Sequence, residues 1–204
     1  MSSPRAAGSA GGGTPRADAG RGPATVGQIG EFGLIRTVTA RMPTGTDVLL
    51  GPGDDAAVVA APDGRVVVTT DLVVEGRHFR RAWSTGYDVG RKAAARNLAD
   101  VAAMGARPTA LVVGLATPPD LPVSWAEQLA DGLRDECGRV GASVAGGDVS
   151  SADVVMLGVT ALGDLGGRPP VRRDGARPGD TVVLAGRTGW AEAGLALLAA
   201  GLAD

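Results

Sequence analysis

The chain has 204 residues, enough for one large domain or one and a half small ones. Its 20 Lys and Arg against 22 Asp and Glu give net charge −2, which excludes the strongly basic footprint of a nucleic-acid-binding protein. One cysteine, Cys137, excludes an internal disulfide and a cysteine-based zinc cluster, and no apolar run is long enough to span a membrane.

Residues 1–25 carry no large apolar side chain after Met1, so they cannot offset their own ordering entropy and read as a disordered tail. Folded sequence is expected from about Gly30, with Phe32, Leu34, Ile35 and Val38 on a short amphipathic helix. Val48 to Leu50 reads as a strand. Ala56–Ala60 and Arg65–Thr70 read as a hairpin around Pro62-Asp63-Gly64. Residues 87–104 form the best helix, ended by Gly105 and Pro108. Thr109–Ala116 is a strand. Ser124 and Glu127 are spaced as a capping box for a helix that Gly141 ends. Ala142–Ala145 and Asp153–Leu162 read as strands. Cys137 falls on the buried side of its helix and reads as a packing residue.

After Arg177-Pro178-Gly179-Asp180 come a strand, Thr181–Ala185, a glycine loop and a helix from about Ala191. Such a short segment cannot bury a core of its own. The expected organisation is therefore a tail over 1–25, a folded domain over 26–176, and the opening of a second domain over 177–204. The fold class is α/β, of the α+β type. It has a mixed sheet of about four strands with helices on one face.

The acidic residues gather at expected strand ends. Asp54-Asp55 follow a Gly-Pro-Gly turn, Asp71 ends the strand with Thr69 and Thr70, and Asp148 follows Gly146-Gly147. Strand ends beside glycine loops are where open α/β sheets place ligands. Carboxylates there repel one another unless a cation lies between them, and hard oxygen donors favour Mg²⁺. Each aspartate alone reads as a turn cap, and the series favours metal. Asn97 and Asp100 share one side of the long helix, as ligand support or as a solvated face. For His78, general base, substrate ligand and plain loop residue stay open. Arg172-Arg173 read as a phosphate clamp or a solvated pair. Neither a Walker A motif nor a dinucleotide fingerprint occurs.

Five motifs in order carry a resemblance: Gly30-Glu31-Phe32-x-Leu34-Ile35, Gly51-x-Gly53-Asp54-Asp55, Thr69-Thr70-Asp71-x-x-Val74-x-Gly76-x-His78-Phe79, Asn97-Leu98-x-Asp100-x-Ala102-Ala103-Met104-Gly105-Ala106 and Gly146-Gly147-Asp148. Together they resemble the thiamine-monophosphate kinases, in the superfamily of aminoimidazole ribonucleotide synthetase and selenophosphate synthetase. The resemblance implies transfer of the γ-phosphoryl group of ATP to thiamine monophosphate, assisted by Mg²⁺ and without a phospho-enzyme. It implies metal ligation by Asp55, Thr69, Thr70, Asp71, Asp100 and Asp148. It implies nucleotide contacts from Gly147, Asp148 and Arg173, and a substrate contact from His78. It further implies a cytoplasmic homodimer paired across its sheets, with no nucleic-acid or membrane partner. The family's second domain supplies further ligands, so the present chain is expected to be inactive alone, as a fragment or a shortened protein. The alternatives are a non-catalytic dimerisation or Mg-nucleotide-binding module and another ATP-dependent enzyme of the superfamily.

Overall fold

A computed structural model describes residues 23–53 and 55–202. The tail expected over 1–25 lies, for residues 1–22, outside that range, as does Asp54. Ordered chain begins before Gly30. The Ala24 carbonyl accepts from Val123 N (2.9 Å), and Val26 N donates to Leu121 O (2.8 Å). Helix α1, Val26–Thr39, follows, with the Gln28 side chain accepting from Thr25 N at 3.0 Å. Gly30, at φ 69 and ψ 175, kinks it. Beyond the kink Leu34 is fully buried, while Phe32 points outward.

Strands β1 (Val48–Leu50) and β2 (Val58–Val59) pair antiparallel as a small separate sheet. The expected hairpin around Pro62-Asp63-Gly64 is therefore not formed. The turn itself exists, with Gly64 N donating to Ala61 O (3.0 Å) at φ 73. Its two arms take different partners. The arm before the turn bonds to β1. The arm after it is β3, Val67–Val74, which pairs along all eight residues with β6, Met156–Asp164. A full-length ladder with a central strand outweighs a short local one.

Helix α2, Gly86–Ala103, opens on a capping box in which Thr85 Oγ1 accepts from Asp88 N (3.2 Å) and Asp88 Oδ2 from Thr85 N (3.0 Å). Gly105, at φ 74, turns the chain into β4, Arg107–Thr117. Pro108 is thus the second residue of a strand rather than a helix stop. Helix α3, Val123–Gly138, leads to β5, Ser143–Ser151. The Ser124–Glu127 capping box is absent: Pro122 occupies the N-cap position, because the bonds to Ala24 and Thr25 fix the helix start there.

The main sheet has order β3-β6-β4-β5, with β4 and β5 parallel and the other pairs antiparallel. Successive side chains alternate between its faces. Val73, Leu157, Val159, Ala161, Leu111, Val113 and Leu115 face the helices and are buried. Val68, Leu72, Val112 and Met156 share the other face and are exposed, Leu72 at 57%. The β1–β2 arm covers one end of that open face, where Val48, Ala110 and Ala145 form a second small core.

Helices α2 and α3 cross at very short range over the sheet. A Cβ at Gly86 would overlap the Trp125 carbonyl oxygen, one at Gly90 the Leu129 oxygen, and one at Gly132 the Tyr87 oxygen. After β6 the chain changes character. The expected strand Thr181–Ala185 finds no ladder among the described residues, with Val182 at 98% exposure. Helix α4, Trp190–Ala199, buries no residue. β-Branched composition favours a strand only where a partner strand pairs with it.

Candidate active site

Asp71 and Asp148 stand inside strands rather than at their ends. β3 continues to Val74, and β5 runs unbroken from Ser143 through Gly146-Gly147-Asp148 to Ser151. Gly147 is needed by the sheet itself, since a Cβ there would overlap the Val113 carbonyl of β4. The aspartates fall into two groups at opposite edges of the sheet. Strands β3 and β5 are three strand spacings apart, about 14 Å.

The first group lies along the seam between β3 and α2. Thr69 and Asp71, two residues apart, share the helix-facing side of β3. Thr69 Oγ1 donates to Asp100 Oδ2 at 3.1 Å. Arg96 Nη2 meets Asp71 Oδ2 at 3.0 Å. Arg96 and Asp100 are i,i+4 neighbours on α2, so both reach the same seam. Two carboxylates and a hydroxyl form a donor set of hard oxygens suited to Mg²⁺. Among the described residues, no three His, Cys, Asp or Glu side chains gather as a ready metal cage. Thr70 faces the opposite way. Its hydroxyl donates to Val159 O (3.1 Å) and accepts from Thr160 Oγ1 (3.1 Å). Asn97 does not share the side of Asp100 as expected. It is fully buried, with Nδ2 donating to Ala93 O (3.0 Å) and Oδ1 unpaired.

The second group, Asp55 and Asp148, lines a cleft of about 470 Å³. Its walls are α1 (Phe32, Ile35), α3 (Leu129, Leu133), Gly51, Pro52, Gly53, Ala56 and Ala57 between β1 and β2, and strand β5. The cleft is largely apolar, with carboxylates at its glycine-rich rim.

His78 closes a tight turn after β3. Its Nδ1 accepts from Val74 N at 3.0 Å, which places the neutral ring's proton on Nε2. Lys92 Nζ donates to the His78 carbonyl. The turn is anchored by Glu75, which binds Arg81 (2.6 Å) and accepts from Val155 N (3.1 Å). Phe79 beneath it stacks on Trp125, ring centroids 6.1 Å apart. His78 therefore presents an exposed N–H from a braced loop, at the same end of α2 as Lys92. Arg173 lies exposed in the segment after β6, beside the Arg172–Asp174 pair (2.7 Å).

Sequence reasoning missed Arg96 and the Arg107–Asp47 pair. The i,i+4 spacing of Arg96 to Asp100 was a usable signal. Arg107 and Asp47, 60 residues apart, left none. Two hydrogen bonds from the Arg107 guanidinium hold the Asp47 carboxyl below its usual value of 3.8. Cys137 is buried as expected, and burial pushes its thiol up to about 12.

The family described as "AIR synthase related protein, N-terminal domain" matches residues 53–165. A thiamine-monophosphate kinase of Mycobacterium tuberculosis is 51% identical over 181 residues, 88% of this chain and 54% of that protein. The enzyme of the same name from Corynebacterium glutamicum is 45% identical over 177 residues, 85% of this chain and 52% of that protein. The crystal structure of a thiamine-monophosphate kinase from Stenotrophomonas maltophilia K279a superposes with a TM-score of 0.73 at 35% identity. It covers 84% of this chain and 54% of that one. The chain thus spans about half the length of the relatives it matches.

Proposed function

The chain belongs to the AIR synthase related protein family, and on that premise we propose that it forms the N-terminal metal- and nucleotide-binding part of a thiamine-monophosphate kinase. The observation that carries this reading is the 51% identity over 181 residues with a relative of that name. The proposed reaction breaks the bond between the γ-phosphorus of ATP and its bridging oxygen. A phosphate oxygen of thiamine monophosphate takes that place, giving thiamine diphosphate and ADP.

Phosphoryl transfer asks a protein for positioning and charge neutralisation more than for a nucleophile. Bound Mg²⁺ would supply the neutralisation. In this reading Thr69, Asp71 and Asp100 hold metal at the α2–β3 seam, and Asp55 and Asp148 hold it at the rim of the apolar cleft. Thr70, whose hydroxyl is engaged with Thr160, serves through its main chain. Gly147 lets backbone approach the nucleotide beside Asp148, and Arg173 pairs with its phosphates. His78 donates from Nε2 to the substrate.

The domain over 26–176 carries these functions. Residues 177–204 belong to a second unit, in keeping with the exposure of Val182 and the absence of buried residues in α4. The exposed apolar side chains Val68, Leu72, Val112 and Met156 form the face of a homodimer. We place the enzyme in the cytoplasm, where both substrates are available. Among the described residues no helix is long and apolar enough to cross a membrane.

Thermal denaturation with MgATP, and with EDTA as control, tests the nucleotide site in this chain. A ligand at 100 times its Kd adds about 2.7 kcal/mol to the folded state. A clear rise in Tm with MgATP is expected, and no rise at millimolar MgATP refutes a nucleotide site here. ADP release dependent on thiamine monophosphate, in a protein extended to the relatives' full length, tests the reaction. A second reading, a binding and dimerisation module, predicts the Tm rise without turnover in any length of chain.

A further inference from the structure

We infer that Arg96 is a built-in counter-ion that a divalent cation must displace from Asp71, after which its guanidinium turns to the phosphate that arrives with the metal. The inference rests on the reading of Asp71 as a metal ligand.

Four side chains meet at the seam: Asp71 and Thr69 from β3, Arg96 and Asp100 from α2. Their charges sum to −1, because one guanidinium answers two carboxylates. The Arg96–Asp71 pair is open to solvent, with side-chain exposures of 38% and 30%. Such a pair is weak enough to open, unlike a buried one. Thr69 ties Asp100 to β3 without adding charge, which holds Asp100 on the same seam as Asp71.

A metal ion bound at Asp71 would stand within a few ångströms of the guanidinium if Arg96 stayed in place. Two cations at that range repel, and the same carboxylate oxygen cannot serve both well. Arg96 must therefore leave Asp71 when the ion enters. Its backbone is held in the middle of α2, so the freed group can move only by the length of its own side chain. Asp100, the other carboxylate of the seam, is held by Thr69 and in the proposed site is itself a ligand of the metal. The new anion within reach is the phosphate brought by the metal, and guanidinium matches phosphate oxygens in a two-pronged geometry.

Two consequences have opposite signs. Metal alone binds against a competitor, so its affinity is lowered by Arg96. Metal with nucleotide gains the Arg96–phosphate contact, so the nucleotide raises metal affinity through Arg96. The residue thus favours loading of the complete metal–nucleotide pair over loading of the bare ion.

The experiment uses the 204-residue chain and Mn²⁺ as the probe, with free ion read by electron paramagnetic resonance. Four proteins are titrated: wild type, Arg96→Met, Arg96→Lys and Asp71→Asn. Each is titrated with and without a non-hydrolysable ATP analogue, and folding is checked by circular dichroism. Arg96→Met should bind Mn²⁺ alone about five-fold more tightly, the size of an exposed ion-pair contribution. It should also lose most of the enhancement that the analogue gives wild type. Arg96→Lys, which keeps the charge, should stay close to wild type with Mn²⁺ alone. Asp71→Asn should bind Mn²⁺ more weakly than wild type. If Asp71→Asn weakens binding but Arg96→Met leaves it unchanged or weaker, the counter-ion role is wrong and the metal site stands. If Asp71→Asn leaves Mn²⁺ affinity unchanged, the metal assignment of Asp71 falls and the counter-ion role falls with it.

Discussion

Arg107 and Asp47 are joined by two hydrogen bonds of 2.6 and 3.1 Å, which tie the β1–β2 arm to the first residue of β4. Asp47 is nearly buried, and its backbone oxygen also accepts from Ala60 N at 2.8 Å, closing the arm. The arm carries Gly51, Pro52, Gly53 and Asp55 at the cleft rim. The guanidinium thus helps the small core of Val48, Ala110 and Ala145 hold the arm in place.

Arg107→Met should cost about 1–2 kcal/mol at neutral pH, because it strands a nearly buried carboxylate. The guanidinium lowers the pKa of Asp47 in the folded state, so the pair's stabilisation is complete above the unfolded value of 3.8. It is lost as pH falls through the lower folded value. The Tm difference between wild type and variant should therefore be full at pH 7 and close on acidification below pH 3.8. A gap that persists unchanged in acid would show that Asp47 is not its source. Hydrogen exchange should quicken in residues 46–60 before it does in the main sheet.

Gly90→Ala should destabilise by about 1–3 kcal/mol through overpacking. A Cβ there overlaps the Leu129 carbonyl, which is backbone and cannot swing aside. Gly138→Ala, with open space around its Cβ, is the matched control and should be neutral or slightly stabilising. Thermal or urea denaturation distinguishes them, and equal midpoints for the two variants would contradict the close α2–α3 crossing.

Cys137 should stay unreactive toward a thiol reagent such as Ellman's reagent at pH 8. Burial raises its pKa to about 12, so almost no thiolate is present, and the sulfur is inaccessible. Full reactivity should appear only with global unfolding in urea. Rapid labelling of the native chain would place Cys137 outside the core.

Leu72→Glu tests the open sheet face. Leu72 is 57% exposed between Val68 and Met156 on a face whose other side is fully packed. The proposed homodimer should give twice the chain mass by light scattering for wild type, and a single chain mass for the variant. Stability should change little, because the side chain is already solvent-exposed in the protomer. A wild-type monomer at tens of micromolar would refute the pairing.

The helices were legible because their signals are local. The apolar spacing of Val89, Ala93, Leu98 and Val101 marked α2, and Gly105 marked its end. Strand positions up to β6 were legible too, from β-branched composition, but Thr181–Ala185 forms no ladder among the described residues and β5 runs on through Asp148 to Ser151. Strand partners were not. The turn at Pro62-Asp63-Gly64 suggested a local hairpin, yet β3 pairs with β6, some 90 residues later. The helix start at Pro122 was likewise set by contact with Ala24 and Thr25, not by Ser124.

By itself the sequence determined the element order, the family motifs and the residue types that suit a metal-assisted transfer. Those follow from spacing along the chain. Tertiary structure decided which of those residues meet. It put Asp71 and Asp100 on one seam through the Thr69–Asp100 bond, and Asp55 with Asp148 on another rim. It turned Thr70 away to Thr160, buried Asn97, and paired Asp71 with Arg96. The reason is physical. A strand fixes only that neighbouring side chains alternate in direction, while strand order and register choose which face and which neighbour each receives.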